Sequence, residues 1–290
     1  MHGTNNSIIG EKAVLITGCS SGIGRQTAIT LADRGFIVFA AIRKEGDAEN
    51  LRRLSMPNIV PVCPLDLTDL EHISHTARLV ASELSQRGLN GLYALVNNAG
   101  GGSPAPIELM DLEQFRTELH TRVLGSVVMI QRFLPLIRQA GGKIVWIMTP
   151  ALMPTPYVTS IHACDFAVNC IARTLDIELK PWGIPNIMIR CGGIRTPAGL
   201  RTTADVEALL QEGPRELVLL YESALREWAK EMAKFDMKRT DPEKVAELVF
   251  KALVVKRPKR RYSVGHMAKA ANFLEVLPQS VADWILKMRF

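Results

Sequence analysis

The chain has 290 residues, 47% of them hydrophobic, and 35 Lys and Arg against 29 Asp and Glu give a formal charge of +6 and a pI near 9.1. That length and composition suit one large buried core, so residues 1–290 read as one domain. The mild positive balance speaks against nucleic-acid binding, no run of 18 apolar residues offers a transmembrane span, and Cys19, Cys63, Cys164, Cys170 and Cys191 are too scattered for a disulfide framework or a metal site.

Residues 1–12 have no basic start followed by an apolar core, so the expected compartment is reducing and cytoplasmic. A strand over 13–16 ends in Thr17-Gly18, and Gly22 and Gly24 then open a helix over 24–34, with Ser20, Ser21 and Ile23 in the turn. Strand, glycine turn and helix leave backbone N–H groups unpaired at a helix N-terminus, and the missing Cβ atoms let a diphosphate approach them. The expected ligand is a dinucleotide, although an ordinary tight turn would read the same way in isolation.

A second strand over 37–41 runs into Ile42-Arg43-Lys44. NAD-binding proteins place an acid at this point for the adenosine ribose, and NADP-binding proteins a basic residue for the 2′-phosphate. A guanidinium grips a phosphate with paired hydrogen bonds, so Arg43 favours NADP(H) over NAD(H).

A third strand over 59–64 leads to Leu65-Asp66-Leu67 and a helix over 70–87. A fourth over 92–96 is closed by Asn97-Asn98-Ala99-Gly100, and a helix follows over 112–137. Then come a strand over 143–148, a helix over 160–180 and a strand over 186–190. Such alternation predicts an α/β fold, a Rossmann-type doubly wound parallel sheet with helices on both faces and ligands beyond the strands' carboxyl ends.

After Thr196-Pro197 the rhythm changes. Residues 204–234 hold two amphipathic helical segments broken at Gly213-Pro214, within a stretch of about 198–240 that reads as a C-terminal helical lid or as a surface helix pair. A helix over 242–255 and a last strand over 262–264 complete the sheet, and 265–290 form a tail. Lys256–Arg261, KRPKRR, offers a weak contact to phosphates or an acidic membrane surface, its ordinary fate being a solvated loop. The amphipathic residues 277–290 read as a packed terminal helix, with a membrane or partner surface as the alternative.

Thr17-Gly18-x3-Gly22-Ile23-Gly24, Asp66, Asn97-Asn98-Ala99-Gly100 and Gly192-x-Ile194-x-Thr196-Pro197, in this order, resemble the short-chain dehydrogenase/reductase family over nearly the whole chain. The resemblance implies that the glycines seat the diphosphate and Asp66, beside Leu67, holds the adenine amino group. It also implies that Asn97 braces the central strand, that Asn98, Ala99 and Gly100 line the cofactor, and that Gly192, Ile194 and Thr196 meet the nicotinamide carboxamide. The lid and tail look most like steroid- and retinol-type members, which implies a sizeable apolar substrate. The family also implies a homodimer or homotetramer through the 112–137 and 160–180 helices.

The chain departs from the family at the chemistry. The family's Asn, Ser, Tyr and Lys positions fall on Arg122, Met148 (with Thr149 beside it), Ile161 and Asp165. Slippage does not restore the motif, because Tyr157 is followed four residues later by Ile161 and no lysine lies between 144 and 179. His162 is the nearest proton carrier, but on a helix it points about 100° from the face shared by Ile161 and Asp165, which predicts a packed or solvated side chain.

Carbonyl reduction develops negative charge on oxygen, which Ile161 cannot protonate and Asp165 would repel. A carboxylate near the nicotinamide suits a cationic iminium, which takes hydride without a proton, or a zwitterion during a cyclisation. A pair with Arg122 would keep that carboxylate charged. The reading is an atypical NADP(H)-dependent oxidoreductase with Asp165, Arg122 and Thr149 as candidate catalytic residues. Two alternatives stay open: a non-catalytic NADP(H)-binding sensor or scaffold, and an ordinary carbonyl reductase using Thr149, His162 and water.

Overall fold

The computed structural model describes residues 11–150 and 154–289; the N-terminal stretch read above as lacking a leader lies, up to residue 10, outside the described residues, as does Phe290. Its strands are β1 (Ala13–Thr17), β2 (Ile37–Ala41), β3 (Ile59–Val62), β4 (Ala94–Asn97), β5 (Lys143–Met148), β6 (Asn186–Cys191) and β7 (Arg261–Val264). They pair in the order β3-β2-β1-β4-β5-β6-β7, every pairing parallel. The order reverses between β1 and β4, and the reversal leaves a crevice at the carboxyl edge of the sheet.

The helices are α1 (Gly22–Asp33), α2 (Glu45–Arg52), α3 (Leu70–Gln86), α4 (Leu112–Leu119), α5 (Gly125–Gln139), α6 (Thr159–Glu178), α7 (Pro197–Leu200), α8 (Thr202–Glu212), α9 (Arg215–Asp236), α10 (Glu243–Val254), α11 (Ala268–Glu275) and α12 (Gln279–Arg289). Strand side chains alternate between two cores, as the two-residue repeat requires. Ala13 and Leu15 join Phe133 and Ile137 of α5 and Val168 of α6, while Val14 and Ile16 join Leu31 of α1 and Val245 and Val249 of α10. Burial on both faces is why these strands read as continuous apolar runs.

Lys143 fastens β5 to the end of α10. Its buried Nζ donates to the Leu253 carbonyl and, at 2.9 Å, to that of Val255, meeting the unpaired carbonyls at a helix C-terminus. Arg190 of β6 is also buried; it donates to Asn169 Oδ1 of α6 at 3.0 Å and pairs with Glu275, which ties α11 to the sheet.

Three expectations need correction. The helix expected over 112–137 is α4 and α5 joined through a π-helical turn, His120–Leu124, which carries Arg122. One extra residue per turn leaves no trace in a 3.6-residue apolar pattern. Helix α2 was not expected, because only Ala48 and Leu51 of its eight residues are buried, too few to show periodicity. The tail packs only one side of its last helix: Ala282 and Leu286 are buried, while Val281, Trp284 and Met288 stay exposed. Among the described residues no helix is long and apolar enough to cross a membrane.

The break at Gly213-Pro214 falls between α8 and α9. These two helices bury Val206, Leu210, Val218, Leu225 and Trp228 in a cluster of their own, with Tyr157 and Val158 packed against it.

Candidate functional site

A cleft of about 930 Å³ runs along the carboxyl ends of the central strands, lined by residues of the β1–α1 turn, the ends of β2, β4, β5 and β6, α4, the π turn, the start of α6, and α9. At its first end Gly18 and Gly22 have φ of +73° and +56°, conformations that side-chain-bearing residues rarely adopt. A Cβ on Gly24 would stand 2.2 Å from the Gly18 carbonyl oxygen. The turn is therefore closed against any side chain, and the backbone at the N-terminus of α1 is left open to the cleft.

Asn98 braces the turn. Its Nδ2 donates to the carbonyls of Thr17 at 2.8 Å and Gly18 at 3.2 Å, and the backbone N–H groups of Asn98 and Ala99 both donate to Thr17 Oγ1 at 3.0 Å. Asn97 is buried, with neither amide atom hydrogen-bonded among the described residues.

Arg43, Lys44 and Asp47 line the cleft where α2 begins. Asp66 Oδ1 accepts from the Thr68 N–H at 2.9 Å and the Thr68 hydroxyl at 2.7 Å. Burial pushes its carboxyl up, but these bonds and the nearby Arg43 and His72 outweigh it and hold the group below its usual range. At the end of β6, Gly192, Ile194 and Thr196 line the cleft, and Thr196 Oγ1 caps α7 through the Gly199 N–H at 3.1 Å. Arg239 clamps this loop by donating to the Ile194 and Gly199 carbonyls, each at 3.2 Å.

Arg122, Met148, Thr149, Ile161 and Asp165 meet at the middle of the cleft. Arg122 Nη2 pairs with Asp165 Oδ1, and the Thr149 N–H donates to Asp165 Oδ2 at 2.8 Å. Asp165 is only 2% exposed, on the face of α6 that also buries Cys164 and Val168. The guanidinium lies over Gly100, where a Cβ would come within 2.6 Å of Nη1. Met148 is buried and Thr149 Oγ1 has no hydrogen-bond partner among the described residues. Burial pushes the Cys164 thiol up to about 11 and the Cys191 thiol up to about 12, so neither supplies a thiolate.

His162 belongs to the cleft wall. The cleft wraps around the start of α6, and a side chain 100° away from Ile161 still lies within its arc. Sequence reasoning missed Glu118, the one buried residue of α4, together with Trp228 and Met232 from α9. A signal existed for Glu118, since it stands four residues before Arg122, but solvated helix faces carry the same spacing.

The short chain dehydrogenase family matches residues 12–207. Human 11-beta-hydroxysteroid dehydrogenase type 2 is 31% identical over 293 residues, 97% of this chain and 71% of that protein. The 3-amino-tetrahydro-pyrrolizinone reductase of Xenorhabdus hominickii is 31% identical over 265 residues, 89% of this chain and 88% of that one. Among solved structures, a short-chain dehydrogenase from Streptomyces avermitilis superposes with TM-score 0.76 at 22% identity, covering 97% of this chain and 98% of that one. A short chain dehydrogenase from Burkholderia cenocepacia in complex with NADP gives 0.73 at 21% identity, over 96% and 98%.

Proposed function

Because the chain belongs to the short-chain dehydrogenase family, we propose that it is an NADP(H)-dependent reductase of carbon–nitrogen double bonds, working without the family's tyrosine and lysine. The glycine cradle closed to any Cβ and the cations at the end of β2 fit such a nucleotide. Gly18, Ser20, Ser21, Gly22, Ile23 and Gly24 would hold the diphosphate, Arg43 the 2′-phosphate, and Asp66 and Leu67 the adenine. Asn98, Ala99 and Gly100 would flank the nicotinamide ribose, and Gly192, Ile194 and Thr196 the carboxamide. When bound, the nucleotide supplies hydride.

One observation carries the reading. Where a proton donor and a cation would stand for carbonyl chemistry, α6 presents Ile161 and the buried carboxylate of Asp165, aligned by Arg122 and the Thr149 N–H. A negative group there favours a substrate that is positive before hydride arrives and neutral afterwards, which an iminium is and a ketone is not. The same field would steady a zwitterion if the product cyclises. Trp228, Met232 and Val158 at the far wall support a sizeable apolar substrate beneath a lid of α8 and α9. Exposed Leu124, Phe166 and Ile177 support assembly into a homodimer or homotetramer through the α5–α6 side.

The competing reading is a nucleotide-binding protein without turnover, and it draws on both Asp165 oxygens being engaged already. One experiment separates the two. Purified protein is titrated with NADPH and NADH and assayed on cyclic imines, cyclic iminium ions, ketones and alcohols. Tight NADPH binding with hydride transfer to C=N substrates, lost in Asp165→Asn while binding persists, is the expected result. Tight binding with no turnover of any substrate selects the alternative, and ketone reduction that survives Asp165→Asn overturns both.

A further inference from the structure

Glu118 is the unexplained carboxyl of this site. It is 8% exposed, lines the cleft from α4, and its Oε2 is buried with no hydrogen-bond partner among the described residues. A Cβ placed on Gly102 would lie 2.7 Å from Glu118 Oε2 and 2.5 Å from Ile161 Cγ1. The carboxyl and Ile161 therefore meet over this glycine, beside the place on α6 where the family's tyrosine would stand.

Charge balance separates the two acids of the cleft. Arg122 is the cation shared by this corner, and its hydrogen bond goes to Asp165, which takes the Thr149 N–H as well. The groups facing Glu118 are Arg122 from the π turn, Ser160 and Cys164 from α6 with Asp165 behind them, and the backbone of Ser103 from the opposite loop. Burial pushes the Glu118 carboxyl above its usual range, and the opposing pull of Ser160, Arg122 and Ser103 is too weak to cancel it. Ser160 lies close, but its hydroxyl makes no well-formed hydrogen bond. Two carboxyls beside one guanidinium thus sit in different surroundings: Asp165 is engaged by Arg122 and the Thr149 N–H, while Glu118 is buried with its Oε2 unpartnered among the described residues and its carboxyl raised by burial.

We propose that Glu118 is the proton donor of the site, protonating the nitrogen of a neutral imine so that hydride reaches an iminium carbon held beside Asp165. The inference rests on the C=N reading given above and names its acid. In the step the Glu118 O–H bond breaks and an N–H bond forms. The iminium carbon then accepts hydride with both its electrons from the reduced nicotinamide, and the C=N π pair comes to rest on nitrogen. The amine and the oxidised nucleotide leave, and the Glu118 carboxylate regains its proton from water.

The test uses the full chain with NADPH and the near-isosteric variant Glu118→Gln. Two substrates are compared at mildly alkaline pH: a cyclic imine that is mostly neutral there, and its N-methyl iminium salt, which needs no proton. E118Q should lower kcat/KM for the imine about 100-fold or more, the ordinary scale of acid catalysis, and for the N-methyl iminium by no more than a few-fold. Equal losses on both substrates, or none on the imine, overturn proton donation. Wild-type protein that reduces the iminium salt but not the imine overturns it too, yet leaves the reductase reading standing. Wild-type protein inert toward both overturns that reading and the donor role with it. A readout free of turnover runs alongside: the infrared difference between wild type and E118Q at neutral pH should contain a protonated-carboxyl stretch, and its absence overturns the proposal.

Discussion

The two ends of the cleft are built on different principles. At the nucleotide end the fit is made by backbone: two glycines with positive φ, a third whose Cβ would strike the Gly18 carbonyl, and Asn98 stitching β4 to β1. At the other end it is made by ionisable side chains from three elements, Glu118 of α4, Arg122 of the π turn and Asp165 of α6. A backbone cradle admits almost no substitution, because there is nothing to exchange. A side-chain cluster can be rewritten with the fold intact, provided its charges still balance.

The sharpest attempt to break this contrast is Gly24→Val. Its side chain would have to enter space held by the Gly18 carbonyl and Asn98 Nδ2, so calorimetry should find NADPH binding abolished, and near-normal affinity would show that the cradle is not what holds the nucleotide. Next in size, Asp165→Ala leaves the partly buried Arg122 guanidinium without its carboxylate and should cost roughly 1–3 kcal/mol in chemical denaturation. The double change Arg122→Met with Asp165→Leu should recover most of that stability and none of the turnover, which separates the pair's structural part from its chemical one.

Of similar size, Arg43→Ala should weaken NADPH about tenfold to a hundredfold, equivalent to roughly 1.5–3 kcal/mol for a charge-assisted hydrogen bond. NADH affinity should not move, and an equal loss for both nucleotides would remove the argument for NADP(H). Smallest is a pH effect on stability. Since burial raises the Glu118 carboxyl in the folded chain, the folded state holds that proton longer than the unfolded one. The associated stability is complete below the unfolded value and is lost as pH rises through the folded one, with a slope of at most about 1.4 kcal/mol per pH unit. Glu118→Gln should flatten that part of the stability profile, and an unchanged profile would place the group among ordinary surface carboxylates.

Sequence alone determined the strands, their alternation with helices and the glycine turn that opens α1. Those features rest on short-range rules: alternating or continuous apolar runs, glycines where φ must be positive, a basic pair after the second strand. Arg122, Met148, Ile161 and Asp165 fell, by the family resemblance, at the positions expected to carry the chemistry. Only the tertiary structure decided what the replacements are near. The π turn, the bonds from Asn98 to the turn and the place of His162 in the cleft wall leave no periodic mark. Glu118 looked like one more acid on a solvated helix until packing buried it opposite Ile161. Whether a carboxyl is an anion or an acid depends on desolvation and on which cation it shares, and those are set by residues distant in the chain that only the fold brings together.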